Sequence, residues 1–240
     1  MNRTLSAPTR QAEQAVAPRP DLYAPIHKAM RHAMCDTLLA VGRIDVADPA
    51  SCARTLDQVE LLLDLCAAHL AHENRFVHPA LEACQPQASA RIALEHEEHL
   101  QSIAELRDEA SALRRATPAT RDTLALRLYR HLALFVAGDF QHMHIEETAH
   151  NAVLWAHYDD AELMQLHEQI VGSIAPPEML EVARWMVPAL TPAERVVVVG
   201  GMQAGAPPEA FLGLMAHVRP HLDGHAWAQL THALGVSPQG

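Results

Sequence analysis

The sequence predicts an all-α protein: an up-down-up-down four-helix bundle over residues 21–158, with an arm before it (1–20) and an additional C-terminal subdomain of short helices after it (159–240). Three observations carry that expectation. Only 10 of 240 residues are Gly, aromatic residues are 4%, and Ala, Leu, Glu, Gln and Met fill long stretches; these types lose little freedom in a helix. Apolar residues recur at helical spacing, as in Leu56, Val59, Leu63 and Cys66, and along the stripe of Ile92, His96, Ile103 and Leu106. Punctuation by Pro, Asp and Gly then cuts the chain into four long segments and a series of shorter ones.

Residues 1–20 are rich in Pro, Ala, Arg and Gln without periodicity, so a disordered arm is expected. The first helix is predicted from Leu22 to Ile44, ending before the segment Asp45–Pro49. A second runs from Ala50 to Cys84, with Pro79 ending or kinking it. The third, Gln87 to Arg115, stops at Thr117-Pro118, which also starts the fourth, Pro118 to His157. Short connections between long helices imply antiparallel neighbours. Beyond Asp159 the prolines crowd together and the helices shorten. The run Val196 to Gly201 (VVVVGG) resembles a strand, but Thr191-Pro192-Ala193-Glu194 before it is a helix-start signature, so a helix is expected there.

Charge and cysteine usage narrow the function. Lys+Arg 18 against Asp+Glu 29 gives a net charge of −11, which repels phosphate backbones and makes nucleic acid an unexpected partner. No apolar run reaches bilayer length, so no membrane partner is expected. The opening residues lack a sustained apolar stretch, which favours a cytoplasmic protein over a secreted one. Cys35, Cys52, Cys66 and Cys84 show no C-x-x-C spacing and read as buried thiols in a reducing compartment.

The anomaly is histidine, with 17 residues. Imidazole is the commonest metal ligand and a mediocre helix former, so an excess on helices needs a reason. Two segments share one pattern. AHLAHENRFVHPAL places His69 four residues before Glu73, and QHMHIEETAHNAVL places His142 four residues before Glu146. Residues at i and i+4 project from one helix face. The other two long helices each carry a histidine on an apolar stripe, His27 and His96, where an unpaired imidazole would be costly to bury. A shared metal site removes that cost. Two ions side by side need bridging ligands, and a carboxylate has two oxygens suited to joining them; imidazole fills terminal positions. Glu73 and Glu146 are therefore assigned as bridges, and His27, His69, His96 and His142 as terminal ligands. Glu95, Glu98 and Glu147 are candidates to hold the outer N–H of a ligating imidazole. His72, His78, His144 and His150 point elsewhere on their helices and are not expected to be ligands. Met30 and Met34 are expected in the core. His217, His221 and His225 recur every four residues, but Pro220 and Gly224 interrupt them and they read as exposed.

With PIHKAM on the first helix, HLAHENRFVHPAL on the second, EHEEHL on the third and QHMHIEE on the fourth, the chain resembles the hemerythrin-like, or HHE cation-binding, family over roughly residues 22–157. The resemblance implies two iron ions with a bridging oxo or hydroxo species. It also implies a small gaseous or redox ligand (O2, NO or peroxide). The oxygen-carrying members place two ligating histidines four apart on the third helix. Here Leu100 stands four after His96, and the extra histidine is His99, at i+3. His99 is carried as a further candidate ligand. One helix-three ligand is closer to the iron- and oxygen-sensing hemerythrin domain of an F-box ubiquitin-ligase subunit, so binding or sensing of oxygen, nitric oxide or redox state is expected more than simple carriage. A peroxidase- or catalase-like or oxidase enzyme on the same site is the alternative. A ferritin-like oxidase needs Glu-x-x-His on two helices, and only Glu147 to His150 offers it well placed. His96 to His99 (HEEH) is not the H-E-x-x-H of zinc proteases. Ligand type discriminates metals poorly, so manganese or zinc also fits such a cage. Residues 159–240 are left as a surface for a protein partner.

Overall fold

The computed structural model describes residues 19–237, and they are helical throughout, with no strand among them. The long segments fold as α1 (Ala24–Gly42), α2 (Pro49–His72), α4 (Ala90–Arg114) and α5 (Pro118–Ile145). Two of them continue past a short π-helical turn. Glu73–Val77 leads from α2 into α3 (His78–Cys84), and Glu146–His150 leads from α5 into α6 (Asn151–His157). Pro79 neither ends nor breaks the second helix. It has no N–H to give, and its ring crowds the carbonyl one turn back; the π turn directly before it widens the helix at that point.

Helix α1 packs on α2 and α5, α2 packs on α4, and α4 packs on α5. Their apolar stripes meet in one core that includes Met30, Met34, Leu56, Leu63, Leu106, Leu128 and Leu132. Met30 and Met34 lie in it as expected. Of the four thiols, Cys52 and Cys66 are buried and Cys84 is half-buried, but Cys35 is exposed, which corrects its reading as a core thiol. Its neighbours Ala33, Met34 and Thr37 take the inward face of α1 and leave position 35 on the outside.

The C-terminal segment forms α7 (Asp160–Ser173), α8 (Pro176–Ala189), α9 (Pro192–Gly205), α10 (Pro208–Val218) and α11 (Gly224–Leu234). Val196 to Gly201 is helical, within α9. Helix α8 lies against α1 and divides its apolar residues between two cores. Val182, Trp185 and Met186 join the first, while Ala183 and Val187 join a second built from α9, α10 and α11. Two polar ties reinforce the junction: Lys28 Nζ donates to Glu194 at 2.6 Å, and His32 Nδ1 donates to the Trp185 carbonyl at 3.1 Å.

Helix α9 starts with the capping box that its sequence announced. Glu194 N–H donates to Thr191 Oγ1 at 3.4 Å, and Thr191 N–H donates back to Glu194 Oε2 at 2.8 Å. Thr191→Ala is expected to destabilise the protein by about 1 kcal/mol, the usual worth of an N-cap side chain, read as a lower midpoint in urea at unchanged slope.

Residues 1–18 of the expected arm lie outside the described residues. Its last two are not loose. Arg19 donates to the carbonyls of Trp155 and Tyr158, and Pro20 accepts from Trp155 Nε1 at 2.8 Å. Among the described residues no helix is long and apolar enough to cross a membrane.

Candidate metal centre

Six side chains from four long helical runs converge at one level. His27 comes from α1, His69 from α2 and Glu73 from the π turn after it. His96 comes from α4, His142 from α5 and Glu146 from its π turn. Five of them are at most 4% exposed, and His69 is half-buried. Their donor atoms form two groups, His27, His69, Glu73, Glu146 and Glu73, His96, His142, Glu146, each within 4.8 Å throughout. Only the two carboxylates belong to both.

Each carboxylate turns one oxygen to each group. Glu73 Oε1 lies 3.2 Å from His69 Nε2 and 3.7 Å from His27 Nε2, while its Oε2 lies 3.5 Å from His96 Nε2. Glu146 Oε2 lies 3.5 Å from His27 Nε2, while its Oε1 lies 3.3 Å from His142 Nε2 and 3.7 Å from His96 Nε2. Metal–donor bonds of about 2.1 Å put neighbouring ligands on one ion about 3 Å apart, close to these separations. None of the four carboxylate oxygens has a hydrogen-bond partner, and neither do His27 Nε2 and His69 Nε2. Six buried polar atoms without partners are costly unless a cation among them takes their lone pairs.

The outer nitrogens explain which way the rings face. His27 Nδ1 donates to Glu147 Oε1 at 3.1 Å, His96 Nδ1 to Asn74 Oδ1 at 2.8 Å, and His142 Nδ1 to Glu95 Oε2 at 3.1 Å. An imidazole that gives its Nδ1 proton outward presents a bare Nε2 inward when neutral. Arg31 holds Glu147 in turn at 2.5 and 3.0 Å, and Arg91 holds Glu95 at 2.8 Å. Glu147 and Glu95 thus fill the outer role foreseen for them. Glu98 is exposed, and Asn74, which no residue-type rule singled out, takes a third such position.

Without metal, protons supply the positive charge. Burial opposes charging His27, yet its attraction to Glu147 and Glu73 prevails and raises it to about 9. His142 is raised to about 9 in the same way, chiefly by Glu146. Glu146 is held well below the usual carboxylate range by His142 and His96 in spite of its burial. Burial and the nearby Glu146 push Glu73 up to about 8. Burial and the charge on His27 press His69 well below its ordinary value, so it stays neutral.

His99 is placed apart from the six. It lies in neither group; its Nδ1 sits 3.3 Å from Asp139 Oδ1, and its ring lies 4.9 Å from that of His142. Asp139 is pushed up to about 7 mainly by burial, and His99, lowered to about 4 by burial and by His142, has no hydrogen-bond partner for its Nδ1. His78 and His150 need the opposite correction. Both are buried and both fall within 4.8 Å of Glu146 in a third group of donors. His78, five residues after Glu73, is brought onto that face by the wider π turn, whereas His150, four residues after Glu146, stands at the same i,i+4 spacing that marked the ligand pairs and was passed over. The Tyr23 hydroxyl, 3.1 Å from His150 Nδ1, was also missed and is 1% exposed. His72 and His144 face away from the six, and no group of potential metal donors among the described residues includes His217, His221 or His225.

Comparison of the chain with family models, with curated proteins and with solved structures gives no match.

Proposed function

We propose that this is a hemerythrin-like protein in which α1, α2, α4 and α5 form an up-down-up-down bundle around a pair of iron ions. Its task on this reading is to bind or sense oxygen, nitric oxide or redox state in the cytoplasm. The observation that carries the reading is the shared pair of carboxylates, each offering one oxygen to either side of a cage otherwise walled by imidazole. His27 and His69 would hold one ion, His96 and His142 the other, and Glu73 and Glu146 both. When bound, the iron pair supplies reversible ligation of, or electron exchange with, a small molecule. The chain's own part is to hold four Nε2 atoms inward and to keep bulky solutes out. Each ion would receive four protein donors, fewer than an octahedral ion takes, which leaves room for an exogenous ligand. Burial of the six residues favours O2, NO or peroxide over larger substrates. Because α8 and Glu194 grip the helix that carries His27, residues 159–240 are the surface through which a protein partner would read the state of the cage.

Anaerobic loading with iron, followed by optical and Mössbauer spectra before and after oxygen, tests this. Two iron ions per chain and a near-ultraviolet charge-transfer band after oxygen are expected. A colourless, metal-poor protein would overturn the reading, and rapid turnover of hydrogen peroxide would make the same site an enzyme. Asn74 gives a finer test. Asn74→Ala should weaken metal binding about ten- to a hundredfold, as loss of a ligand's outer hydrogen bond generally does, measured by competition with a chelator of known affinity.

A further inference from the structure

His78 and His150 form, with Glu146, a cluster of which the paired cage uses the carboxylate alone. His78 is 7% and His150 3% exposed, and the ring of His78 stacks on that of His96 with centroids 4.7 Å apart. One donor atom from each of the three residues lies within 4.8 Å of the others. His78 Nε2 is buried without a hydrogen-bond partner, as are both oxygens of Glu146. A buried imidazole nitrogen left bare is costly, and here it faces a carboxylate and a second imidazole. The His150 ring is oriented by the Tyr23 hydroxyl, 3.1 Å from its Nδ1, and by the Ala88 backbone. His78 follows the π turn that begins at Glu73 and His150 closes the one that begins at Glu146, so both lie C-terminal to the two bridging acids and the cluster sits beside the pair along the bundle axis.

We infer that His78, His150 and Glu146 form a third metal position, for one divalent first-row cation. Two imidazoles and one carboxylate with open sites are a donor set suited to Fe(II), Co(II) or Zn(II). The position shares Glu146 with the proposed iron pair and rests on that reading in this respect only. Sharing one carboxylate makes it the weakest of the three and the last to fill.

The test is an anaerobic Co(II) titration of the metal-free full-length chain, followed by visible absorption and by metal analysis after desalting. The wild type should take up three equivalents. His78→Phe and His150→Phe keep an aromatic ring in place and remove the ligand nitrogen. Each should lose one equivalent, or bind it at least about tenfold more weakly, with unchanged far-ultraviolet circular dichroism. The double variant His69→Ala/His142→Ala should lose the tighter ions and keep the equivalent that His78→Phe removes. Equal equivalents with identical spectra in wild type, His78→Phe and His150→Phe would overturn the third position and leave the pair standing. Uptake that depends on His78 and His150 but not on His69 and His142 would support the third position and overturn the pair.

Discussion

Glu146→Gln is expected to strip both ions from the cage and to abolish the rise in melting temperature that metal confers. Glutamine keeps the size of the side chain but replaces one oxygen donor with an amide nitrogen that carries hydrogens, and it removes the negative charge. Glu146 is fully buried, both its oxygens lack hydrogen-bond partners, and it is common to both donor groups, so neither ion escapes the loss. Binding that only the native state can make stabilises it, by about 2.7 kcal/mol when free metal is a hundred times Kd, and that increment is what should vanish. The metal-free proteins will differ too, because Glu146 is an acid held well below its ordinary value. Its contribution is present above the unfolded carboxylate range and is absent from the variant. The decisive quantity is therefore the difference between melts with and without metal for each protein, alongside metal content. His144→Gln, an exposed change on the same helix, should leave both unchanged. Two ions and an undiminished metal-dependent shift in Glu146→Gln would show that the carboxylate is not a bridge.

The cage was legible where the helix is regular. The i,i+4 spacing of His69 and Glu73, and of His142 and Glu146, puts each pair on one face, and the apolar stripes through Met30 and Met34 and through Ile92 and Ile103 turn His27 and His96 inward. Legibility fails where the local period changes. His78 lies five residues after Glu73, a spacing that reads as off-face at 3.6 residues per turn and on-face across a π turn. Pro79 was the one available hint at that widening; His150, four residues after Glu146, stood at the spacing that marks a shared face and was passed over. His99 shows a different limit. Standing three residues after His96 makes it a candidate, but its place beside Asp139, a residue on another helix, and outside both donor groups is not set by that spacing. Asn74 joins the site through the same kind of non-local pairing, with His96. The partition of α8 between two cores was hidden for a related reason: a short helix that is apolar on two sides gives no single stripe to follow.

Metal affinity should fall steeply with acidification, while the stability of the metal-free protein should move the other way. With His27 and His142 raised to about 9, both imidazoles hold protons at neutral pH, and each must be displaced for its Nε2 to ligate. Every displaced proton lowers apparent affinity about tenfold per pH unit below the group's pKa. Filling both sides of the cage displaces these two protons, so about a hundredfold loss per unit is expected across neutral pH, and the proton held by Glu73, raised to about 8, steepens it further. In the metal-free chain the two histidines sit above the ordinary value of 6.5. Their contribution to stability is therefore complete below about that pH and is lost as pH climbs through about 9. Glu73 acts in the same direction. Its carboxyl is harder to ionise folded than unfolded, so stability falls from 4.5 up to about 8. Melts in chelator should thus decline as pH rises from about 6.5 to about 9, whereas below 6.5 His78 and His99, lowered to about 4 by burial, act in the opposite direction. Melts at a fixed, limiting concentration of metal should improve over the same range, because the ions compete with fewer protons. Parallel curves with and without metal would mean that the protons and the metal do not share these nitrogens and oxygens, since exchange of one cation for another at the same donors is the only reason for the trends to oppose.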